Sequence, residues 1–397
     1  MIEFEQALKL VLGAAKGLGA EEANVDDSVG RVLMEDIYSK IEMPPFNKSA
    51  MDGYAVRSED IKDIPAQLKN VGLIQAGQIF AGRIEKGECV KIMTGAALPK
   101  TADSVVMVED THQSADRVEI KKSLEKWRNV CFQGEDIKKG QKVLQKGRVI
   151  SISDIALMAT VGKSFVKVSK RPTVAVLNTG GEITPLGNKL RKGQIYNSNG
   201  PQLLSLLKSD SIRPCYLGIA RDRRRELTRA MEKGLQNEVF LISGGVSMGD
   251  YDLVPGVLKS LGVKEIFHNV ETKPGRPLFF GRRNKAIVFG IPGNPVANFL
   301  VYHIYIRPAI YKLMGRKPHA PQFEEGIVDK EFRHKPGRKH FVPVRLTDKA
   351  NQYYVAPVGS HGSADILALS KADAFMVVDA DVRVVKARSH IKFTRFK

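Results

Sequence analysis

The chain has 397 residues, 43% hydrophobic and 26% charged, which is ordinary for a globular protein and allows two to four domains at roughly 150 residues each. Its formal net charge is +19 and its pI is near 9.7. The only dense basic run, Arg221-Asp-Arg-Arg-Arg225, has no interleaved aromatics, so the excess reads as a solvated surface able to steer anions rather than a nucleic-acid interface.

Met1-Ile-Glu-Phe-Glu-Gln is acidic and amphipathic and lacks the basic and apolar regions of a signal peptide. Cys89, Cys131 and Cys215 lie far apart with no metal-ligand spacing, which predicts a reduced, cytoplasmic protein. The spacing of Phe4, Leu8, Val11, Leu12 and Ala15 predicts a helix over 3–17. A short strand is expected from Val32 to Ile37, followed by an extended exit at Pro44-Pro45. Over 47–140 many short β-like runs are broken by glycines, which predicts a β-rich module inserted in an N-terminal region spanning 1–170. A helix is expected from Ile152 to Val161, capped by Ser151 or Ser153 and stopped by Gly162.

From 171 to 317 three apolar runs each end in a glycine-rich loop: Thr173 to Glu182, Val239 to Asp250 and Ala286 to Pro295. Runs without polar alternation suit strands buried on both faces, and the helical stretches between them predict a three-layer α/β domain with a mostly parallel sheet. Asn199 or Ser198 should cap the first helix, Asp222 the next, and Asn294-Pro295 should open the last, which ends near Gly315. The longest charge-free stretch, Ala286 to Ile306, contains Pro292-Gly-Asn-Pro295, so it reads as strand, loop and helix, not as a membrane span. Strands at 341–345, 353–355, 375–378 and 382–385 predict a small β-barrel-like domain over 318–397.

Ligands of such sheets bind beyond the carboxyl ends of the strands. Thr179, Gly180 and Glu182 follow the first strand. Ser243, Gly244, Gly245 and Ser247 follow the second, where small residues leave amides free to cradle an anion. Asp250 and Asp252 come next, and carboxylates beside a phosphate cradle call for a cation between them, Mg²⁺ by default. Lys273-Pro-Gly-Arg276 offers two cations to an oxyanion, and Pro292, Gly293 and Asn294 place amides at a helix start. Each loop also has a plainer reading as a turn or a helix cap. In the N-terminal half Asn47, Ser49, Asp52, Thr94, Glu135 and Asp136 are polar loop residues of the same ambiguity.

Taken together, PPFNKSAMDGYAV, IMTGA, GEDI, NTGGEI, SGGVSMGDYD, KPGRP and GIPGNPVA resemble, in order and over essentially the whole chain, the molybdopterin molybdenumtransferase family, which includes the bacterial MoeA-type proteins and the E-domain of gephyrin. The resemblance implies a homodimer whose active site lies between the α/β domain of one subunit and the inserted and C-terminal β regions of the other. It implies Mg²⁺-dependent cleavage of adenylylated molybdopterin, release of AMP and ligation of molybdate, or tungstate, by the dithiolene. By motif it implies functional roles for Asp52, Thr94, Asp136, Glu182, Asp222 and Asp252, oxyanion binding by Lys273 and Arg276, and a contribution from Ser363. Glu182, Asp250 and Asp252 are then the expected metal ligands. A molybdopterin-adenylylating enzyme and molybdoenzyme maturation proteins are the expected partners, with neither nucleic acid nor membrane. Four departures accompany the match. Gly181 stands where an acid is frequent, Asn269 where a basic residue is common, and Ala297 where serine is frequent. Pro343 occupies the aligned place of a C-terminal arginine, for which Arg338 and Arg345 are candidates. A molybdopterin adenylyltransferase, a nucleotide or pyridine-nucleotide hydrolase on the same domain and a non-catalytic dimeric scaffold are the competing readings. The retained acids argue against the scaffold.

Overall fold

The computed structural model describes residues 1–246, 253–317 and 319–396. The chain divides into two compact units, one of Met1–Met34, Gly147–Ser151 and Phe165–Lys397, the other of Glu35–Lys146 and Ile152–Ser164.

In the first unit the N-terminal helix runs Phe4–Ala14, burying Phe4, Ala7 and Val11. It stops short of residue 17 because the chain turns at Gly19 (φ +82°) into the strand Ala20–Asn24, which pairs with Phe165–Ser169. The expected strand at 32–37 is not one element. Val32 and Leu33 make single bridges to Val149 and Val168, and Ile37–Tyr38 pairs with Lys142–Leu144 in the second unit. The chain changes units between these pairings, so no single ladder can hold it.

The α/β domain is built on a sheet in the order Pro214–Ala220, Val174–Thr179, Val239–Ser243, Ala286–Ile291, Phe279–Arg283, Lys264–His268. The first four strands pair in parallel and Phe279–Arg283 runs against them, so the sheet is mostly parallel, as the βαβ pattern requires. Successive residues of its central strands enter opposite cores. Val174, Val176, Leu241 and Phe289 pack with Leu203 and Leu207 on one face, and Ala175, Leu177, Ile242 and Val288 with Leu227 and Met231 on the other. This two-sided burial is why the strands show no polar alternation.

Helices Asn199–Ser209 and Arg224–Gly234 cross the sheet, but their caps differ from expectation. Asn197 Oδ1 accepts from Gly200 N–H at 2.9 Å, while Ser198, at the cap position, makes no such bond. Arg223 sits at the start of the next helix, and Asp222 turns to the neighbouring loop. The last helical stretch is Pro295–Val301, a π-turn at Tyr302–Ile306, then Arg307–Leu313, ending at Gly315 (φ +68°). Its buried side meets Asp210, which is 3% exposed and accepts from Tyr302 OH (2.7 Å), Arg307 Nε (2.8 Å) and Tyr311 OH (2.9 Å). Arg307 also donates to His303 Nδ1 at 2.8 Å. Burial and this guanidinium hold His303 well below the usual histidine range, so it stays neutral and accepts.

The C-terminal domain is a closed barrel. Lys339–Lys349, Gln352–Pro357, Glu324–Val328, His390–Arg395 and Ala374–Val378 pair in that order, and the last pairs back with the first. Pro343 is tolerated because the ladder to Gln352–Pro357 begins only at Val344.

The second unit centres on a sheet in the order Ser104–Met107, Gly53–Val56, Glu88–Ile92, Ala66–Ile74, Arg117–Ile120, Thr111–Ser114. Tyr54, Cys89 and Val106 face one core and Ala55, Val90 and Val105 the other, the period of two expected of strands. The pairing of Ile37–Tyr38 with Lys142–Leu144 and the helix Ile152–Thr160 extend this unit beyond the 47–140 stretch.

Replacing Asp210 by Ala strands a buried guanidinium and two tyrosine hydroxyls, which should cost about 3 kcal/mol. Tyr311→Phe, removing one donor, should cost about 1 kcal/mol. Urea unfolding followed by fluorescence checks the ranking.

Candidate functional site

The carboxyl ends of the parallel strands converge on a cavity of 390 Å³ in the first unit. The loop after Val174–Thr179 turns at Gly180, where φ is +148° and a Cβ would lie 2.8 Å from Glu182 Oε2. Its backbone is tied across to Asp222, whose Oδ2 accepts from Gly181 N–H at 3.2 Å. The loop after Val239–Ser243 passes through Gly244 (φ +101°) and Gly245 (φ +66°). A Cβ on Gly244 would meet Thr179 O at 2.4 Å, so this close approach requires glycine. Pro292, Gly293 and Asn294 close the third side. Thr179, Gly180, Glu182, Asp222, Ser243, Gly244 and Gly245 therefore share one concave surface. Gly181 has open space where a Cβ would stand, so nothing steric forbids an acid there.

Ser247, Asp250 and Asp252 lie outside the described residues. Glu182 and Asp222 are the carboxylates of the cavity among the described residues. That donor set suits Mg²⁺, which takes one or two carboxylates and completes its shell with phosphate oxygens and waters. No group of three or more His, Cys, Asp or Glu side chains able to hold a metal is assembled among the described residues.

A second cavity of 590 Å³ adjoins the first and shares Pro277, Pro292 and Asn294 with it. Lys273, Arg276, Arg338 and His340 line it, with no carboxylate in its wall among the described residues. Lys273 stands opposite His340 in a parallel pair of strands. Burial, then the charges of Lys273, His334 and Arg338, push His340 down to about 3, so it is neutral at ordinary pH. Ser363 enters the same wall. It accepts from Asn294 Nδ2 at 2.8 Å, and its carbonyl accepts from Val296 N–H at 3.1 Å, which fastens the C-terminal domain to the helix start. Of the two arginine candidates, Arg338 lines the cavity, while Arg345 lies exposed on the barrel strand. Asn269 sits at φ +71° and is 7% exposed, a left-handed position that asparagine tolerates better than lysine or arginine.

In the second unit three distant motifs meet. Asn47 Oδ1 accepts from Gln133 N–H at 2.8 Å, and Ser49 exchanges backbone bonds with Gly95 and Ala96 at 2.9 and 3.0 Å. Asp52 Oδ1 accepts from the Thr94 amide (2.7 Å) and hydroxyl (2.8 Å), which holds its carboxyl below the usual range. Gly53 follows because a Cβ there would lie 1.9 Å from Val106 O. Asp136 is exposed on the adjoining turn.

Sequence reasoning missed Asn298 and His340, read Asn199 only as a helix cap, and left Arg338 as one of two arginine candidates. Asn199 donates to Ser243 Oγ (3.0 Å) and Gly293 O (2.7 Å), and Asn298 donates to Ser243 Oγ at 2.8 Å. The available signal for Asn298 was a carboxamide inside the otherwise apolar run Val296 to Val301.

Comparisons with known proteins cover the chain in three blocks. Residues 2–162 match the MoeA N-terminal region (domains I and II), 175–312 a probable molybdopterin binding domain, and 325–394 the MoeA C-terminal region (domain IV). A molybdopterin molybdenumtransferase of Staphylococcus epidermidis is 33% identical over 391 residues, covering 97% of this chain and 93% of its own length. One from Staphylococcus aureus is 31% identical over 397 residues with the same coverage. The crystal structure of a molybdopterin biosynthesis MoeA protein from Pyrococcus horikoshii superposes with a TM-score of 0.76 at 31% identity, covering 100% of this chain and 99% of the other. No helix among the described residues is long and apolar enough to cross a membrane.

Thr94→Val removes the hydroxyl donor, so the Asp52 carboxyl should rise toward the ordinary carboxylate value in an NMR titration. A lowered carboxyl stabilises the fold above its unfolded value and loses that contribution as pH falls. His340 has the same sign for a different reason. Its unfolded form takes a proton near 6.5 and its folded form near 3, so stability should fall as pH drops through that window. His340→Gln should flatten this part of the acid-denaturation curve.

Proposed function

The chain belongs to the molybdopterin molybdenumtransferase family and acts as a transferase in molybdenum cofactor biosynthesis, and we propose that it inserts molybdate, or tungstate, into adenylylated molybdopterin with release of AMP. The observation that carries this reading is the junction of the two cavities at Pro277, Pro292 and Asn294. Among the described residues, one is lined by hydroxyls, glycine turns and two carboxylates, the other by cations without an acid. A phosphate-bearing ligand in the first and a tetrahedral oxyanion in the second are thereby neighbours.

Cleaving a phosphoanhydride asks for positioning and charge stabilisation more than covalent help. Glu182 would hold Mg²⁺, with Asp250 and Asp252 as the further acids expected from the sequence, and the ion would screen the phosphates. Lys273 and Arg276, free of ion pairs among the described residues, hold the oxyanion as fixed cations. Thr179, Ser243, Gly244 and Gly245 face the phosphates. Asp222 fixes the first loop through Gly181. Asp52, Thr94 and Asp136 are the polar positions assigned to the inserted unit. The working form is a cytoplasmic homodimer, supplied by a molybdopterin-adenylylating enzyme and serving the maturation of molybdoenzymes.

AMP release from adenylylated molybdopterin should require Mg²⁺ and should rise on addition of molybdate or tungstate, with the metal retained on the pterin. Adenylylation of molybdopterin by ATP instead would move the assignment to the adenylyltransferase. Glu182→Gln should lower kcat roughly 10²-fold, the loss typical of removing one preorganised electrostatic group, with unchanged thermal unfolding.

A further inference from the structure

Ser243 ends the central strand Val239–Ser243 and is 1% exposed. Its hydroxyl has one proton to donate and two lone pairs to accept with. Both lone pairs are taken, by Asn199 Nδ2 at 3.0 Å and Asn298 Nδ2 at 2.8 Å. The orientation of these carboxamides is fixed by backbone carbonyls. Asn199 Nδ2 also donates to Gly293 O at 2.7 Å, and Asn298 Nδ2 lies 3.5 Å from Pro292 O. Turning Asn199 over would set Oδ1 against Gly293 O at 2.7 Å, and the longer contact of Asn298 with Pro292 O favours the same sense.

The proton of Ser243 is therefore the one group it has left. Neither carboxamide oxygen takes it, since Asn199 Oδ1 and Asn298 Oδ1 are buried without a partner. No other acceptor meets it among the described residues, and Ser243 lines the smaller cavity. Beside it Thr179 Oγ1, on a residue 2% exposed, is also buried with no partner. A floor of two hydroxyls with no acceptor among the described residues suits an anionic oxygen.

We infer that Ser243 is a one-way hydroxyl donor to an anionic phosphate oxygen of the ligand, and that Asn199 and Asn298 are positioning residues that hold its proton toward the cavity. The inference rests on the proposed reading for the identity of the ligand. Its physical content is a fixed polarity: a free serine hydroxyl can turn to donate or accept, whereas this one is prepaid as a donor.

The test is a double-substitution cycle on the full chain with Ser243→Ala, Asn298→Leu and the pair. The readouts are AMP affinity by calorimetry, kcat/KM for AMP release, and the thermal midpoint. Ser243→Ala should weaken AMP binding and lower kcat/KM about ten- to a hundred-fold, the range of a hydrogen bond to a charged group. Asn298→Leu should cost several-fold, because the hydroxyl can then turn away. The pair should be no worse in affinity or kcat/KM than Ser243→Ala alone, since Asn298 acts only through that hydroxyl. Asn199→Leu gives the same cycle from the other donor and stands in if Asn298→Leu fails to fold. Losses that multiply in the pair, or an unchanged Ser243→Ala, overturn the inference while leaving the proposed reaction standing. A wild-type protein that neither binds nor releases AMP overturns both.

Discussion

The site depends on one serine hydroxyl that must be reached from two helices at once. Ser243 stands at the end of the central strand, and the carboxamides that meet it come from Asn199, at the start of one helix, and Asn298, inside another. Just after the strand the chain passes within contact of Thr179. Gly244 and Gly245 permit this, since a side chain at either would strike the Thr179 oxygens. The parallel sheet supplies the rest. Its strands bury both faces, so their polar ends gather on one edge, where the backbone is free to serve a ligand.

The same two helices are fastened at the far side of the core. Asp210 follows the helix that begins at Asn199, and Tyr302, Arg307 and Tyr311 belong to the stretch that carries Asn298. Four polar groups satisfying one another in the interior leave little freedom for either helix to rotate or slide. The π-turn at Tyr302–Ile306 adds a residue to that turn of the helix, just ahead of Arg307. A buried network of this kind is weak evidence for stability. Here it bears on register, and register is what a pair of asparagines needs to meet on one hydroxyl.

Electrostatics separate the two halves of the site. Among the described residues, carboxylates border the cavity at Ser243, and the charged side chains that border the cavity at Lys273 are cations. Burial, with the positive charges of Lys273, His334 and Arg338 beside it, keeps His340 neutral down to about 3. That same field favours an oxyanion there. Where the family motif expects a cation, Asn269 occupies a left-handed turn, and Arg338, on the approach to the barrel strand, brings its charge to the wall.

The sequence by itself determined the parts governed by local rules. Unalternating apolar runs such as Val239–Ser243 announced a sheet buried on both faces, and the glycines after each run fall in the loops that line one cavity. Motif order announced the family and most of the loops that form the site. Glycine and charge patterns could not say which residues meet across the chain. Asn199 read as a helix cap and proved to be a donor to Ser243, while the cap fell to Asn197. Asn298 was one polar residue in an apolar helix, and only the packing of that helix against the strand ends gave it a role. Arg338 and Arg345 were equal candidates until the barrel placed one in a cavity wall and the other on its outer surface. The barrel strands Glu324–Val328 and His390–Arg395 escaped notice because each carries only two large apolar residues, and barrel closure supplies the partners that make them strands. Local propensity acts over a few residues, whereas these roles depend on contacts between residues up to about a hundred positions apart, and only the folded core fixes those.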